Sequence, residues 1–154
     1  DEVMDSSSLP VAFLILLAIV MVGIIFDIIG MAVASADEKP FHSMAARKVP
    51  GSQEAIRLLR NAERVSSICN DVVGDICGVV SGSASATIAA LILTQVDVGW
   101  PRGVSLVMSA LVAGLTVGGK AIGKTFAVNS CTQIVHTVGR VLHALNGLRG
   151  KKKK

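Results

Sequence analysis

The pattern of apolar and polar positions divides the chain into three long apolar runs separated by polar connections. The runs cover residues 10–36, 65–93 and 104–126. A helix rises about 1.5 Å per residue, so roughly 20 apolar residues are enough to cross a bilayer core. The pattern therefore predicts an all-α integral membrane protein with three transmembrane helices, accompanied by cytoplasmic or interfacial amphipathic helices.

The first run has an alternative interpretation, because residues 34–36 read Ala-Ser-Ala, a form that signal peptidase cuts. A signal peptide starts with basic residues and has a shorter apolar core. This run instead follows three acidic residues, Asp1, Glu2 and Asp5. The sequence therefore favours a membrane span over a cleaved signal.

Charge around the first run predicts the orientation. The polar stretch 37–64 carries Lys39, Arg47, Lys48, Arg57, Arg60 and Arg64. Lysine and arginine in short loops mark the cytoplasmic side of a membrane. We expect a multi-pass protein of the cell membrane, with residues 1–9 extracytoplasmic, 37–64 a cytoplasmic helical stretch, and the C-terminus cytoplasmic.

Residues 129–150 follow the three-span membrane domain, 10–128, and show clear helical periodicity. One face is apolar, and the other carries His136 and His143. This pattern is typical of an amphipathic helix at a membrane interface. The two histidines are interpreted as solvated surface residues rather than metal ligands. The polylysine tail 151–154 is expected to bind anionic lipid through Lys151, Lys152, Lys153 and Lys154.

Composition excludes several classes of protein. The chain has 154 residues, of which 51% are hydrophobic and 17% charged, as expected for one small membrane domain. Three unevenly spaced cysteines indicate neither a disulfide framework nor a zinc site. No paired nucleophile and base, P-loop or metal-ligand motif is present, so we expect no enzyme. The basic residues flank the apolar runs without an aromatic platform, so we expect no nucleic-acid partner.

Charged and polar residues recur at one depth of the three runs. At about 1.5 Å per residue, the four charged members lie roughly 9 to 15 Å from the predicted inner boundary. An ionisable group at that depth costs several kcal/mol unless it is paired, hydrated or bound to a cation. We therefore predict a cation or salt-bridge layer composed of Asp27, Ser67, Asn70, Asp71, Asp75 and Lys120.

Small residues recur at four-residue spacing in the second and third runs. Such stripes allow helices to approach closely. The predicted packing positions are Gly74, Gly78, Gly82, Gly114 and Gly118, with a second pair at Gly119 and Gly123. We expect membrane lipids as partners, together with a second copy of the chain in a homodimer or a partner membrane subunit.

Two segments carry a resemblance to a known family. The first segment includes Phe26 and residues 32–36 and is similar to an F-F-S-x-x-E-x-A-L-x-S stretch. It is followed by Ala-Ile-Arg-Leu-Leu at 55–59, which is similar to the A-L-x-L-L helix that comes after that stretch. Residues 119–127 are similar to a G-E-x-x-P-K-x-x-A signature. Together with the order of the predicted helices, the chain resembles the transmembrane domain of the CNNM/CorC magnesium transporters. The resemblance implies a three-span fold, Mg²⁺ transport and a homodimer. The 154 residues contain no counterpart of the family's regulatory pair of CBS domains.

Two hypotheses on function follow from the residues at the family's site. Asp27 stands where the family has serine, and Gly30 and Lys120 stand where it has glutamates. In the first hypothesis, Asp27, Asp71 and Asp75 ligate a hard cation such as Mg²⁺, with Ser67 and Asn70 as further oxygen ligands. In the second, Lys120 supplies a positive charge in place of the metal, and the protein is a non-transporting scaffold or subunit.

Overall fold

The computed structural model describes residues 2–95 and 99–151, with side chains in 9–94 and 99–148. It is 91% helical, without a strand among these residues. The elements are α1 (Glu2–Ser35), α2 (Lys39–Ala46), α3 (Ser52–Arg60), α4 (Ala62–Ser67), a π-helical segment (Ile68–Val73), α5 (Gly74–Gln95), α6 (Pro101–Asn129) and α7 (Cys131–Lys151). The predicted all-helical class is confirmed.

Three helical stretches are long and apolar enough to cross a membrane. They are Leu9–Ser35, Ala62–Thr94 and Pro101–Asn129, and each matches one predicted run to within three residues at either end. The third begins on a proline because Pro101 occupies the first helical turn, where its missing N–H and fixed φ cost nothing. The predicted number of span-length helices is confirmed.

The second stretch differs from a regular helix near its start. Between α4 and α5, residues Ile68–Val73 wind as a π-helix, which fits one extra residue into the turn. Asn70 and Asp71 both lie in this segment. The sequence analysis treated this part as a continuous α-helix, so the π-helical turn is a finding of the structure.

The polar stretch 37–64 folds as α2 and α3 joined by a tight turn. Gly51 precedes α3 with a φ of +85°, which a glycine adopts without steric cost. The predicted amphipathic segment is present, since Ala55 and Leu59 of α3 are buried. They join a core with Phe41 and with residues from the ends of the longer helices.

The long helix α1 is at the centre of the molecule and packs against both α5 and α6. One small core lies between these three helices, around Leu16, Val20 and Ile88. A larger core lies at the other end of α1, where α2, α3, α6 and α7 meet. The two cores hold the inner faces of the long helices, and their outer faces stay uncovered.

The outer faces of the three long helices are apolar and exposed. Leu14 is 66% exposed, Val79 74% and Ile122 76%. An apolar surface of this extent is unfavourable in water and is normally covered by lipid or by another protein. The exterior therefore agrees with the three helices being of membrane-spanning type.

Candidate ion-pair layer

A buried carboxylate of α1 lies beside an ammonium group of α6. Lys120 Nζ is 3.8 Å from Asp27 Oδ1, and the side chains are 26% and 8% exposed. The separation exceeds a hydrogen bond but is close enough for a strong Coulomb attraction in a medium of low polarity. The predicted salt-bridge partner of Asp27 is therefore Lys120.

Glycines bring the three helices close enough to form this pair. A Cβ atom on Gly74 of α5 would lie 3.3 Å from Lys120 Nζ, so the ammonium rests on the bare backbone of α5. A Cβ atom on Gly119 or Gly123 would clash with Ile24 or Ile28 of α1. The approach of α6 to α1, and with it the position of Lys120, depends on these small residues.

Two buried oxygens near the pair have no hydrogen-bond donor among the described residues. They are Asp27 Oδ2 and Asn70 Oδ1. Asn70 donates its amide to Ser66 Oγ at 3.3 Å, and its side chain fills the space where Gly30 lacks a Cβ. Buried acceptors are normally satisfied, so such oxygens mark a place for a proton, a water molecule or a cation.

The other predicted members of the layer are exposed and make no described contact with Asp27. Ser67 donates a hydrogen bond of 2.8 Å to Asp71 Oδ2, and the side chains of Ser67, Asp71 and Asp75 are exposed. In the parts of the chain with described side chains, no three acidic, histidine or cysteine residues form a metal-binding group. The structure thus brings Lys120 to Asp27 and places Asn70 against Gly30, one turn along α1 from Asp27, but it does not bring the three carboxylates together.

The predicted packing glycines fall into two groups. Gly74 contacts Lys120, whereas added Cβ atoms on Gly78, Gly82, Gly114 and Gly118 would meet nothing within 4 Å. These four therefore make no close contact with another helix among the described residues of the single chain.

Two further close contacts, between α1 and the second stretch, are made at glycines of α1 that are not among the predicted packing positions. A Cβ atom on Gly23 would lie 3.0 Å from Cys77 Cβ, and one on Gly30 would overlap the Asn70 side chain. Gly23 and Gly30 are seven residues apart, which is about two helical turns and places them on one face of α1. This spacing is the sequence signal that could have predicted the contact face of α1.

A second polar contact fastens α7 to α3. His143 Nδ1 donates a hydrogen bond of 3.0 Å to Glu54 Oε1, and this bond holds the pKa of Glu54 below its usual range. Nearby, the backbone of Gly139 lies directly against the Gly51 carbonyl oxygen. His143, predicted to be a solvated surface residue, is 56% exposed although it makes this bond. His136 is half-buried, and its Nε2 is buried without a partner among the described residues.

The predicted lipid-binding lysines lie at the edge of the structure or beyond it. Lys152, Lys153 and Lys154 are outside the described residues, and of Lys151 only the backbone, in the last turn of α7, is described. Their role stays a prediction.

Comparison of the chain with protein-family models, curated proteins and solved structures gave no match. The resemblance to the CNNM/CorC family stays a prediction from the sequence.

Proposed function

We propose that this protein is a membrane-embedded helical scaffold or subunit in which the Lys120 ammonium neutralises the Asp27 carboxylate in place of a metal ion. The observation that carries the proposal is the 3.8 Å approach of Lys120 Nζ to a carboxylate oxygen that is almost completely buried. A carboxylate in that setting requires a counter-charge. A side chain of the same protein provides it permanently, so no ion has to be bound.

The donor set also does not suit a resident divalent ion. Mg²⁺ takes six oxygen ligands in near-octahedral geometry, commonly from one or two carboxylates and several waters. Here one carboxylate is buried, whereas Asp71 and Asp75 are exposed. An ammonium group 3.8 Å from Asp27 would also repel a divalent cation at the same oxygen.

One observation favours the second candidate, movement of a cation such as Mg²⁺. Asp27 Oδ2 and Asn70 Oδ1 are buried acceptors without a donor among the described residues, and Asn70 lies in the π-helical segment, a distortion often found at functional sites. If the flexible Lys120 side chain turned away, these oxygens would be free to bind a cation. Under this hypothesis Lys120 is a gate rather than a permanent counter-ion.

Binding and flux of Mg²⁺ distinguish the two candidates. For the scaffold, Mg²⁺ leaves the melting temperature of the purified protein unchanged, and proteoliposomes take up no more Mg²⁺ than empty liposomes. For the transporter, Mg²⁺ raises the melting temperature, because a ligand that binds only the folded state stabilises it. That gain, and the uptake, are then lost in Asp27→Asn. A Mg²⁺-dependent gain abolished by Asp27→Asn would overturn the scaffold proposal.

The same experiment tests the wider acidic set. Asp71 is exposed and bonded to Ser67, so Asp71→Asn is the matched control. Loss of a Mg²⁺ response in Asp71→Asn as well as in Asp27→Asn would show that both carboxylates serve one ion. Loss in Asp27→Asn alone would place the ion at the buried pair.

Orientation in the membrane is part of the proposal. The basic stretch 37–64 supports a cytoplasmic location for α2 and α3 and an extracytoplasmic turn before α6. Single cysteines at Ser43 and Arg102, both exposed, test it once the native cysteines, Cys69, Cys77 and Cys131, are replaced by serine. An impermeant thiol reagent on intact cells should label position 102 and spare position 43. The reverse pattern would refute the orientation.

A homodimer or a partner subunit is proposed on the glycine face of α5. Gly78 and Gly82 face open space in the single chain, and helices in membranes associate through small residues of this kind. A Cβ atom added at Gly78 meets no described atom within 4 Å, so Gly78→Leu is expected to be tolerated within the single chain. Unchanged melting with loss of the larger species on size-exclusion chromatography would support a partner at this face, and an unchanged oligomer would exclude it.

A further inference from the structure

The last turns of α7 present an apolar stripe that the described residues of the chain leave exposed. Val141 is 54% exposed, Leu145 54% and Leu148 67%. Their spacing of four and three residues places them on one face of the helix. Three large aliphatic side chains in a row are costly in water, so this face is expected to be covered.

The first residues of the stripe pack against the rest of the protein, and the later ones do not. Ile134, one turn into α7, packs against the larger core, and Val138 is half-buried. The side of α7 that docks onto α3 is a different one. Val141 and Leu145 each lie two residues from His143, about 200° around the helix, so they point away from the bond between His143 and Glu54.

Charge in this part of the chain has one sign. From Val98 onward the sequence contains no aspartate or glutamate. Arg140 is exposed on α7, and the sequence continues with Arg149 and the four lysines 151–154. A basic segment of this kind is attracted to acidic phospholipid, roughly fivefold in affinity for each lysine or arginine near the surface.

We propose that the last turns of α7 bind an acidic phospholipid surface, with Val141, Leu145 and Leu148 at the level of the acyl chains and the basic residues among the headgroups. The helix starts at Cys131, directly after the third span-length helix ends at Asn129, so it begins at the membrane boundary. A second copy docked through the same stripe would bring two wholly basic segments together. Lipid instead supplies the opposite charge.

The proposal predicts the depth of a probe on the apolar face. A spin label at Leu145→Cys is compared with one at Ala144→Cys, an exposed neighbour about 100° around the helix. The full chain, with its native cysteines replaced by serine, is placed in nanodiscs of phosphatidylcholine with or without phosphatidylglycerol. The label at 145 should be accessible to oxygen and shielded from an aqueous nickel chelate, and deeper with phosphatidylglycerol. The label at 144 should stay accessible to the chelate.

A charge variant keeps the test decisive. Replacing the four lysines 151–154 by glutamine leaves every described side-chain contact intact and should abolish the extra depth that phosphatidylglycerol gives at position 145. A label at 145 that is water-accessible in both lipids would overturn the proposal. So would a label shielded from both reagents, since another protein copy would then cover the stripe, or a phosphatidylglycerol effect that survives the glutamine variant.

Discussion

Replacing Lys120 by methionine should destabilise the protein through Asp27. Methionine is close to lysine in length and apolar, so packing against α1 and α5 is largely kept. The Asp27 carboxylate, 8% exposed, would lose its counter-charge, and its Oδ2 already has no donor among the described residues. It must then take up a proton or admit water, and either response costs free energy of folding.

The size of the effect follows from the geometry. Breaking a fully buried ion pair by removing one partner costs about 3–5 kcal/mol. The lysine side chain is 26% exposed and its nitrogen lies 3.8 Å from the carboxylate oxygen, so a lower value, about 2 kcal/mol, is expected. For a chain of this size that corresponds to a fall in melting temperature of roughly 4–8 °C.

The assay is thermal unfolding of purified protein in one detergent, analysed as a double-mutant cycle. Lys120→Met, Asp27→Asn and the double variant are compared with wild type. Because removal of the carboxylate relieves the uncompensated charge, the double variant should be more stable than Lys120→Met alone. Lys124→Met is the matched control, since Lys124 is exposed one turn away on the same helix and should change stability by less than about 0.5 kcal/mol.

Two results would refute this reasoning. Equal melting temperatures for Lys120→Met and Lys124→Met would mean that the pair contributes nothing to stability. Additive effects of Lys120→Met and Asp27→Asn would mean that the two residues do not interact, whatever each does alone.

Three further predictions concern close contacts elsewhere. Gly139→Ala should lower the melting temperature, because its Cβ would overlap the Gly51 carbonyl oxygen just before α3, whereas Gly147→Ala, with no described atom within 4 Å of its Cβ, should be neutral or slightly stabilising. Gly30→Ala should displace the Asn70 side chain and destabilise the protein by about 1–3 kcal/mol in the same thermal assay. Because the pKa of Glu54 is lowered, its carboxylate stabilises the fold fully above the ordinary pKa of 4.5, and less as the pH falls through the lowered value. Wild type should therefore lose more melting temperature than Glu54→Gln on acidification below pH ~4; equal losses would exclude a role for the bond.

The sequence by itself determined the helical class and the number of span-length helices. Both depend on the length and composition of continuous segments, and a segment such as 10–36 is apolar enough to exclude other structures. It also indicated that Asp27 needs a partner and that Lys120 lies at a similar depth. Depth follows from counting residues along a helix, which needs no knowledge of neighbouring helices.

Only the tertiary structure decided which faces of the helices meet. Helical spacing places Ser67, Asp71 and Asp75 on one face, and the bond from Ser67 to Asp71 agrees with that, but spacing does not say whether the face points inward. The π-helical segment adds a residue within that face and changes its register. Gly78 and Gly30 are indistinguishable as residues, yet Gly78 faces open space and Gly30 holds Asn70.

The contact between Glu54 and His143 likewise could not be predicted from the sequence. The two residues are 89 positions apart, and no local pattern links them. Their meeting depends on the turn at Gly51, on the small size of Gly139 and on where α6 ends and α7 begins. A pairing set by the packing of several helices at once is a property of the assembled fold, because each helix alone is compatible with many orientations of its neighbours.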